Sequence, residues 1–271
     1  MDVISRNFKL ATWNINSVRL RIGIVEEYLE KYQPDVLCLQ EIKCQNDQFP
    51  EKAFRKMGYE HVAVHGQKGY HGVATVSKTP LASIASTDYV KMGDTRHVEC
   101  IVQTSVGPVC VHNFYVPAGG DEANPVTNPK FDHKMKFIKE MKALGQAERG
   151  VPSILVGDLN IAPLETDVWS HKKLLKVVSH TPAETEGLKD VQSKGGWVDL
   201  IRQHIPPEEK IFTWWSYRAK DWDAADKGRR LDHIWSSPEL ATSLSNIDVL
   251  REARGWEKPS DHVPVMAEFN F

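Results

Sequence analysis

Short apolar runs alternate with helical-period segments along almost the whole chain. FKLATWNI (8–15) and DVLCLQE (35–41) carry β-forming residues between polar turns and read as strands. Between them Ile24, Val25, Tyr28, Leu29 and Tyr32 recur at helical spacing, and Pro34 supplies the stop. A short helix is predicted over 50–57, ended by Gly58, followed by short strands at HVAVH (61–65) and GVATVSK (72–78). HVECIVQT and VCVHNFYVP flank Ser105-Val106-Gly107-Pro108 and predict a hairpin with a four-residue loop. The stretch Ala118 to Pro129, with Gly119-Gly120 and two prolines, predicts a long loop. Phe131, Met135, Ile138, Met141 and Leu144 then mark a helix, and SILVGDLNIA (153–162) an apolar strand ending in acids and amides. Thr181-Pro182-Ala183-Glu184 has the form of a capping box with proline at the first helical position. FTWWSY, RLDHIWSS and HVPVMAEFNF are the remaining strand candidates; in the last, Val263, Val265, Ala267, Phe269 and Phe271 alternate.

No linker or repeat divides this pattern, and strands mixed with helices predict one layered α/β or α+β domain over 1–271. Hydrophobic residues at 41% and charged residues at 26% exclude a disordered or collagen-like chain. The net charge of −2 excludes a histone-like positive coat, so nucleic acid could be engaged only through a local basic patch. No apolar run approaches the roughly 18 residues of a membrane span, and MDVISRNFKLATWNI does not have the form of a secretory leader. Cys38, Cys44, Cys100 and Cys110 lack CxxC spacing and give neither a disulfide framework nor a zinc site; Cys38 reads as a core residue. The expectation is a cytoplasmic protein with no membrane association.

The chemistry lies at the strand ends. Asn14 and Asn16 close the first strand, Glu41 the second, Tyr115 the hairpin, and Asp158 and Asn160 the SILVGDLN strand; Asp232 lies in RLDHIW, and Asp261-His262 precede the last strand. Strand ends gather at a sheet rim, so these residues can converge. Together they supply oxygen ligands for a hard cation, a carboxylate to orient water, and amide, phenol and imidazole donors for an anion, an inventory that suits metal-assisted phosphodiester hydrolysis. Each has a plainer reading: Asp-x-Asn as an Asx turn, Glu41 and Asp261 as solvated strand or turn residues, Tyr115 and His262 as packing. His61 and His65 stand four apart, but on a strand pattern rather than a zincin helix; GQKGYHG is neither a P-loop nor GxGxxG, and no G-x-S-x-G elbow occurs.

Read jointly, TWNINSVRLR (12–21), PDVLCLQEIK (34–43), GQKGYHGVA (66–74), NFYVPAGG (113–120), GDLNIAP (157–163), FTWWSYR (212–218), RRLDHIW (229–235) and KPSDHVPV (258–265) resemble, in order, the exonuclease III family of abasic-site endonucleases, within the endonuclease/exonuclease/phosphatase superfamily. The resemblance implies a four-layered α/β sandwich, two packed mixed sheets flanked by helices. It implies cleavage of duplex DNA 5′ to abasic sites, 3′→5′ exonuclease action and removal of 3′-phosphate and other 3′-blocking groups. The implied cofactor is Mg²⁺, with Mn²⁺ as substitute, and the implied partner is double-stranded DNA bound by a monomer.

The implied roles are as follows. Glu41 is the principal metal ligand, with Asn14, Asn16, Asp261 and, from the same cluster, Asp158, Asn160 and His262 nearby. Asp158 aligns and deprotonates water, and Asn160 donates to the scissile phosphate. Tyr115 donates to a phosphate oxygen, or faces it ionised. His262, held by Asp232, presents an imidazolium of raised pKa. Arg96, Lys130, Lys134, Lys220, Lys227, Arg229 and Arg230 are candidate phosphate contacts, and Trp214, Trp215 and Leu231 a pocket for a base-free sugar. Two departures stand out: Ala118, where relatives often carry an amide, and Arg229, at a place apolar in some relatives. The alternatives are another phosphodiesterase or phosphatase of the superfamily, or a DNA-binding module with an inactive site.

Overall fold

The computed structural model describes residues 7–144 and 150–271. Residues 1–6, part of the stretch read above for a leader, lie outside it. In chain order the first strands are β1 (Asn7–Asn14), β2 (Val36–Gln40), β3 (His61–His65), β4 (Val73–Ser77), β5 (Leu81–Ala85) and β6 (His97–Thr104). The rest are β7 (Gly107–Tyr115), β8 (Ser153–Asp158), β9 (Val198–Asp199), β10 (Asp232–Ser236), β11 (Leu244–Val249) and β12 (Val265–Asn270). The helices are α1 (Ile22–Tyr32), α2 (Glu51–Lys56), α3 (Pro129–Met141), α4 (His171–Leu174), α5 (Pro182–Gly195), α6 (Leu200–His204), α7 (Trp222–Ala225) and α8 (Pro238–Ala241).

Two six-stranded sheets form, ordered β11-β12-β1-β2-β4-β3 and β5-β6-β7-β8-β10-β9. Both are mixed: β1–β2 and β7–β8 are parallel pairs among otherwise antiparallel neighbours. The period-2 rule of a strand decides what meets between the sheets. Phe8, Leu10, Val36, Cys38, Val265, Ala267 and Phe269 of the first sheet pack on Val102, Val109, Val111, Ile154, Val156 and Ile234 of the second. The alternate residues face outward. Ala11, Trp13, Leu37 and Leu39 meet Val25, Tyr28 and Leu29 of α1 and Phe54 of α2. On the other side Phe114, Leu155 and Trp235 meet Phe137, Ile138 and Met141 of α3 and Leu188 and Val191 of α5. This is the expected four-layered sandwich, and each fully buried aliphatic side chain contributes about 1.5–3 kcal/mol to it.

Parity also places the site. Continuing the inward sets along their strands, through Thr12 and Asn113 on β1 and β7, gives Asn14, Gln40, Tyr115, Asp158 and Asp232, all at one end of the sandwich. Just beneath that end the two sheets are joined by buried amides: Gln40 Nε2 donates to Asn113 Oδ1 at 2.7 Å and to Thr12 Oγ1 at 3.0 Å. Asn113 Nδ2 donates in turn to the Ala74 and Leu39 carbonyls at 3.0 and 3.2 Å. Gly157, beside Asp158, is required by close approach: at φ +135°, a Cβ there would lie 1.9 Å from the Phe114 carbonyl oxygen of the parallel neighbour β7.

Three local expectations change. The hairpin loop has two residues: the ladder runs out to the Thr104–Gly107 pair, and Ser105-Val106 make the turn. FTWWSY is not a strand: Trp214 forms only isolated bridges, to Arg229 and to His262, because this segment crosses the sandwich end instead of joining a sheet. β5 and β11 are absent from the predicted strands; both lie at sheet edges, and β5 exposes four of its five residues, while β11 buries Ile247 against the inter-sheet core with a bulge interrupting its alternation.

Candidate active site

A cavity of about 610 Å³ opens where the inward strand ends meet, lined by Glu41, Tyr115, Asp158, Asn160, Trp214, Arg229, Leu231, Asp261 and His262 among others. An adjoining lobe of about 520 Å³ shares Glu41 and Tyr115 and continues past Arg96, His71 and Lys130. Three residues at the rim, Asn16 (φ +48°), Glu41 (φ +50°) and Asn160 (φ +54°), hold left-handed backbone, an uncommon conformation for Glu and one that concentrates at functional sites.

Asp158 is 1% exposed and sits at the centre. Its Oδ1 accepts from the Asn160 backbone N–H at 2.9 Å, and its Oδ2 from Asn14 Nδ2 at 2.8 Å and Asn160 Nδ2 at 3.2 Å. Asn14 spends its other amide hydrogen on Glu41 Oε1 at 3.0 Å, so it bridges the two carboxylates. His262 Nδ1 lies 2.8 Å from Asp232 Oδ2, and its Nε2 lies 3.6 Å from Asp158 Oδ2. Asp232 is held in turn by Thr213 Oγ1, which donates to Oδ2 at 2.6 Å. Burial alone would lower the His262 pKa, but the Asp232 and Asp158 carboxylates raise it, so His262 is an imidazolium at neutral pH. Burial raises Asp158, against the pull of that imidazolium, to a proton affinity above an ordinary carboxylate.

Glu41 is the other pole. Burial would raise its pKa, but the Lys43 ammonium, with hydrogen bonds from Asn14, Lys43 and Tyr115, holds it below the usual value. Tyr115 donates its hydroxyl to Glu41 Oε1 at 2.8 Å. Lys43 Nζ contacts Glu41 Oε2 at 2.9 Å and donates to Asn16 Oδ1 at 2.5 Å, so a cation already lies against the oxygens proposed to hold one. Asn16 Nδ2 donates to Asp261 Oδ1 at 3.1 Å, and Trp214 Nε1 to Asp261 Oδ2 at 2.9 Å, which ties the second carboxylate to the same ring. This donor set, all hard oxygens around an ionised Glu41, fits a small divalent cation held through one or two carboxylates. Asp158, Asp232 and His262 also lie close enough together to share an ion.

Several expectations need correction. Lys134 makes no DNA contact: it is fully buried, donating to Glu184 Oε1 at 2.5 Å, to the Asn160 carbonyl at 2.8 Å and to the Ala118 carbonyl at 3.3 Å. Arg230 is buried against Asp167 and Asp199, and Trp215 belongs to the core with Nε1 on Asp226. Lys134 and Arg230 each found a buried carboxylate, while Trp215 is held by core packing with its N–H on the exposed Asp226. Burial and the Glu41 and Asp158 charges raise the Tyr115 pKa well above its ordinary value, which favours the neutral phenol of the two forms considered. Asn160 uses both amide hydrogens internally, on Asp158 and the Val116 carbonyl.

Trp214 and Leu231 do line the cavity, with Val177, Val178 and Trp169 nearby. Lys130 is exposed at the mouth of the second lobe, while Arg96 spends its donors on Asp94, the Tyr115 carbonyl and His71 and stacks 4.9 Å over the Tyr115 ring. Lys220 and Lys227 are exposed, Lys227 on the cavity wall. At Ala118 only the backbone is polar; Gly120 and Asp121 of the following loop reach the cavity, and Asn128 Nδ2 pins that loop through the Gly119 and Glu122 carbonyls at 2.9 and 2.6 Å. Sequence reasoning missed Lys43 and Thr213, although both lie inside recognised motifs, LQEIK and FTWW. A second His/Glu grouping, His97, Glu99 and His112, does not suit an ion: the Thr87 N–H points at His97 Nδ1 at 3.2 Å and leaves the proton of this buried neutral ring on Nε2.

The comparisons agree with this geometry. The model of the endonuclease/exonuclease/phosphatase family matches residues 11–262. Exodeoxyribonuclease III of Haemophilus influenzae is 34% identical, over 96% of this chain and 99% of its own length. The structures of an AP endonuclease from Archaeoglobus fulgidus and of a 3′ phosphatase from Neisseria bound to a product DNA hairpin each superpose with a TM-score of 0.88 at 32% identity, covering 97% of this chain and 100% of theirs. With carboxylates, imidazole and phenol gathered at the sandwich end as that family's chemistry requires, the chain belongs to the endonuclease/exonuclease/phosphatase family, in its exonuclease III branch.

Proposed function

We propose that the protein is a Mg²⁺-dependent DNA-repair phosphodiesterase that cleaves duplex DNA 5′ to abasic sites, trims 3′ ends and removes 3′-blocking groups. The observation that carries this is the Asn14 bridge, which sets the Asp158 carboxylate, with its imidazolium neighbour, directly beside the Glu41 cation site. Glu41 and Asp261, with Asn16, hold the cation; Mg²⁺, or Mn²⁺ in its place, polarises the phosphoryl oxygen when bound. Asp158, of raised proton affinity and fixed by three amide hydrogens, takes the proton of the attacking water. His262, kept charged by Asp232, donates to the phosphoryl oxygens as negative charge grows there. Tyr115 donates from its neutral hydroxyl. Asn160 fixes Asp158 and turns its amide to phosphate once that ligand competes for it.

Trp214 and Leu231 form the apolar wall against which a base-free sugar packs; swinging out such a nucleotide costs least because no base pair is broken. Lys130, Lys227 and Arg96 flank the path of the strand. We take one chain, a single domain over 1–271, as the working unit, acting in the cytoplasm away from membranes. All four cysteines being free thiols and no described helix being long and apolar enough to cross a membrane support that placement. The test is a duplex carrying one abasic analogue, incubated with Mg²⁺ and then with EDTA. Incision only with metal is expected; phospholipid turnover without incision, or DNA binding without turnover, overturns the reading.

A further inference from the structure

Resting on that reading, we propose that Arg229 tunes the pocket toward DNA 3′ ends whose terminal group carries an additional negative charge, over uncharged abasic sugars. Arg229 is locked in place: its N–H donates to the Trp214 carbonyl at 3.0 Å, and its own carbonyl accepts from the Thr213 and Trp214 N–H groups at 2.9 and 3.0 Å. The guanidinium lies 5.3 Å over the Trp214 ring, and Nη1 donates to the Val178 carbonyl at 2.9 Å and Ser179 Oγ at 2.6 Å. These acceptors are all neutral. Among the described residues no carboxylate stands within ion-pair distance of Arg229, and its Nε is buried without a partner. The adjacent Arg230 is the contrast, with Asp167 and Asp199 on its guanidinium.

The sequence thus places two consecutive arginines, one paired with carboxylates in the core and one on the wall of the substrate cavity with no direct ion pair, its electrostatic partner Glu184 being already held by Lys134. A desolvated cation without a counter-ion is costly, and a planar guanidinium pre-set against an indole is suited to receive an oxyanion. A bare deoxyribose offers hydroxyls and no charge, so it recovers little of that cost. A 3′-phosphate, or a 3′-phosphoglycolate with its carboxylate, recovers it. The step balances simply: the water oxygen bonds phosphorus, its proton passes to Asp158, and the P–O3′ bond breaks with its electron pair leaving on O3′, which solvent protonates. The products are a 3′-hydroxyl strand and inorganic phosphate or phosphoglycolate. Phosphoglycolate leaves with its carboxymethyl ester arm intact, which on this proposal lies along the Trp214–Arg229 wall; a 3′-phosphate has no such arm and offers its second anionic oxygen instead.

The experiment compares kcat/KM of wild type, Arg229→Leu and Arg229→Lys on three duplexes, ending in 3′-phosphate, ending in 3′-phosphoglycolate, or carrying an internal abasic analogue. Thermal melts confirm that the variants fold. Arg229→Leu is expected to lower turnover of the charged ends, relative to abasic incision, by roughly tenfold to a hundredfold, the worth of one charged hydrogen bond. Arg229→Lys, which keeps the charge and loses the planar stack, should fall between. A loss confined to phosphoglycolate assigns the contact to the carboxylate arm, and a loss shared with 3′-phosphate assigns it to the phosphate charge. An equal change on all three duplexes overturns the proposal while leaving the phosphodiesterase reading intact. Wild type acting on none of them overturns both.

Discussion

Asp158, fully buried, and Glu41, partly buried, are carboxylates one asparagine apart, yet their surroundings drive them in opposite directions. Glu41 has Lys43 against one oxygen and stays ionised; Asp158 is deeper and shares its field with Asp232 and Glu41, so it holds a proton more readily. Asp158→Asn and His262→Ala should each lower turnover by about 10²–10³ with unchanged circular dichroism, by analogy with the loss of one preorganised donor in acyl-transfer sites. Near-normal steady-state rates for both would remove the basis of the assignment. Glu41→Gln should act through the cation instead, raising the Mg²⁺ concentration for half-maximal rate by at least about tenfold, equal to 1.4 kcal/mol. A Mg²⁺ titration of the two proteins decides this, and coincident curves would place the cation elsewhere.

At the level of elements, the loops that shape the cavity are joined by a buried ion pair. Lys134 on α3 reaches Ala118 and Asn160, and its partner Glu184, on the first turn of α5, also accepts from the Ser179 and Thr181 N–H groups. Lys134→Met leaves Glu184 buried and unpaired and should cost roughly 3–5 kcal/mol in urea unfolding, while the pair Lys134→Met/Glu184→Leu should recover a good part of it. If the double variant is no more stable than the single one, the pair is not the origin of the loss. The capping box at Thr181–Glu184 was legible in the sequence because its residues are neighbours; that the same Glu184 would hold Lys134, fifty positions away, was not. For the same reason strand boundaries let the sequence place Asn14, Glu41, Tyr115 and Asp158 at strand ends, whereas Lys43 is set by left-handed backbone at Glu41 and again at Lys43 itself, which no periodicity encodes. Arg230 read as a surface charge because nothing local marks Asp167 and Asp199 as its partners.

The molecule as a whole carries several neutral histidines in its interior. His233 is lowered to about 4 by burial and by Arg230, with Nε2 on the Ile161 carbonyl at 2.8 Å, and burial holds His97 low as well. A histidine whose folded pKa is depressed gives stability that is complete above its unfolded value of about 6.5 and is lost as the pH falls toward the folded one. Asp167 adds a second stage: burial would raise it, but Arg230 and Arg202 hold it low, so its share is present above about pH 3.9 and fades below that. Asp158, raised by burial to about 7, works in the opposite sense and gains stability as the pH falls through that value. The histidine share is therefore read by difference: the loss of urea midpoint between pH 7 and 5 should be smaller in His233→Gln than in wild type, and identical pH profiles for the two proteins would contradict this. DNA affinity should show a modest salt dependence, about −0.9 in log–log slope per neutralised phosphate, since only a few exposed cations flank the cleft.

Gln40 lies one residue before Glu41 and Asn113 two before Tyr115, on opposite slabs of the molecule, and their amides grip each other at 2.7 Å. On the proposed reading, that grip joins the half that would seat the cation to the half that would handle protons. If it loosens, the slabs can creep past one another while each remains intact. A warmed molecule should then fall silent as a catalyst while its spectra still report it as native.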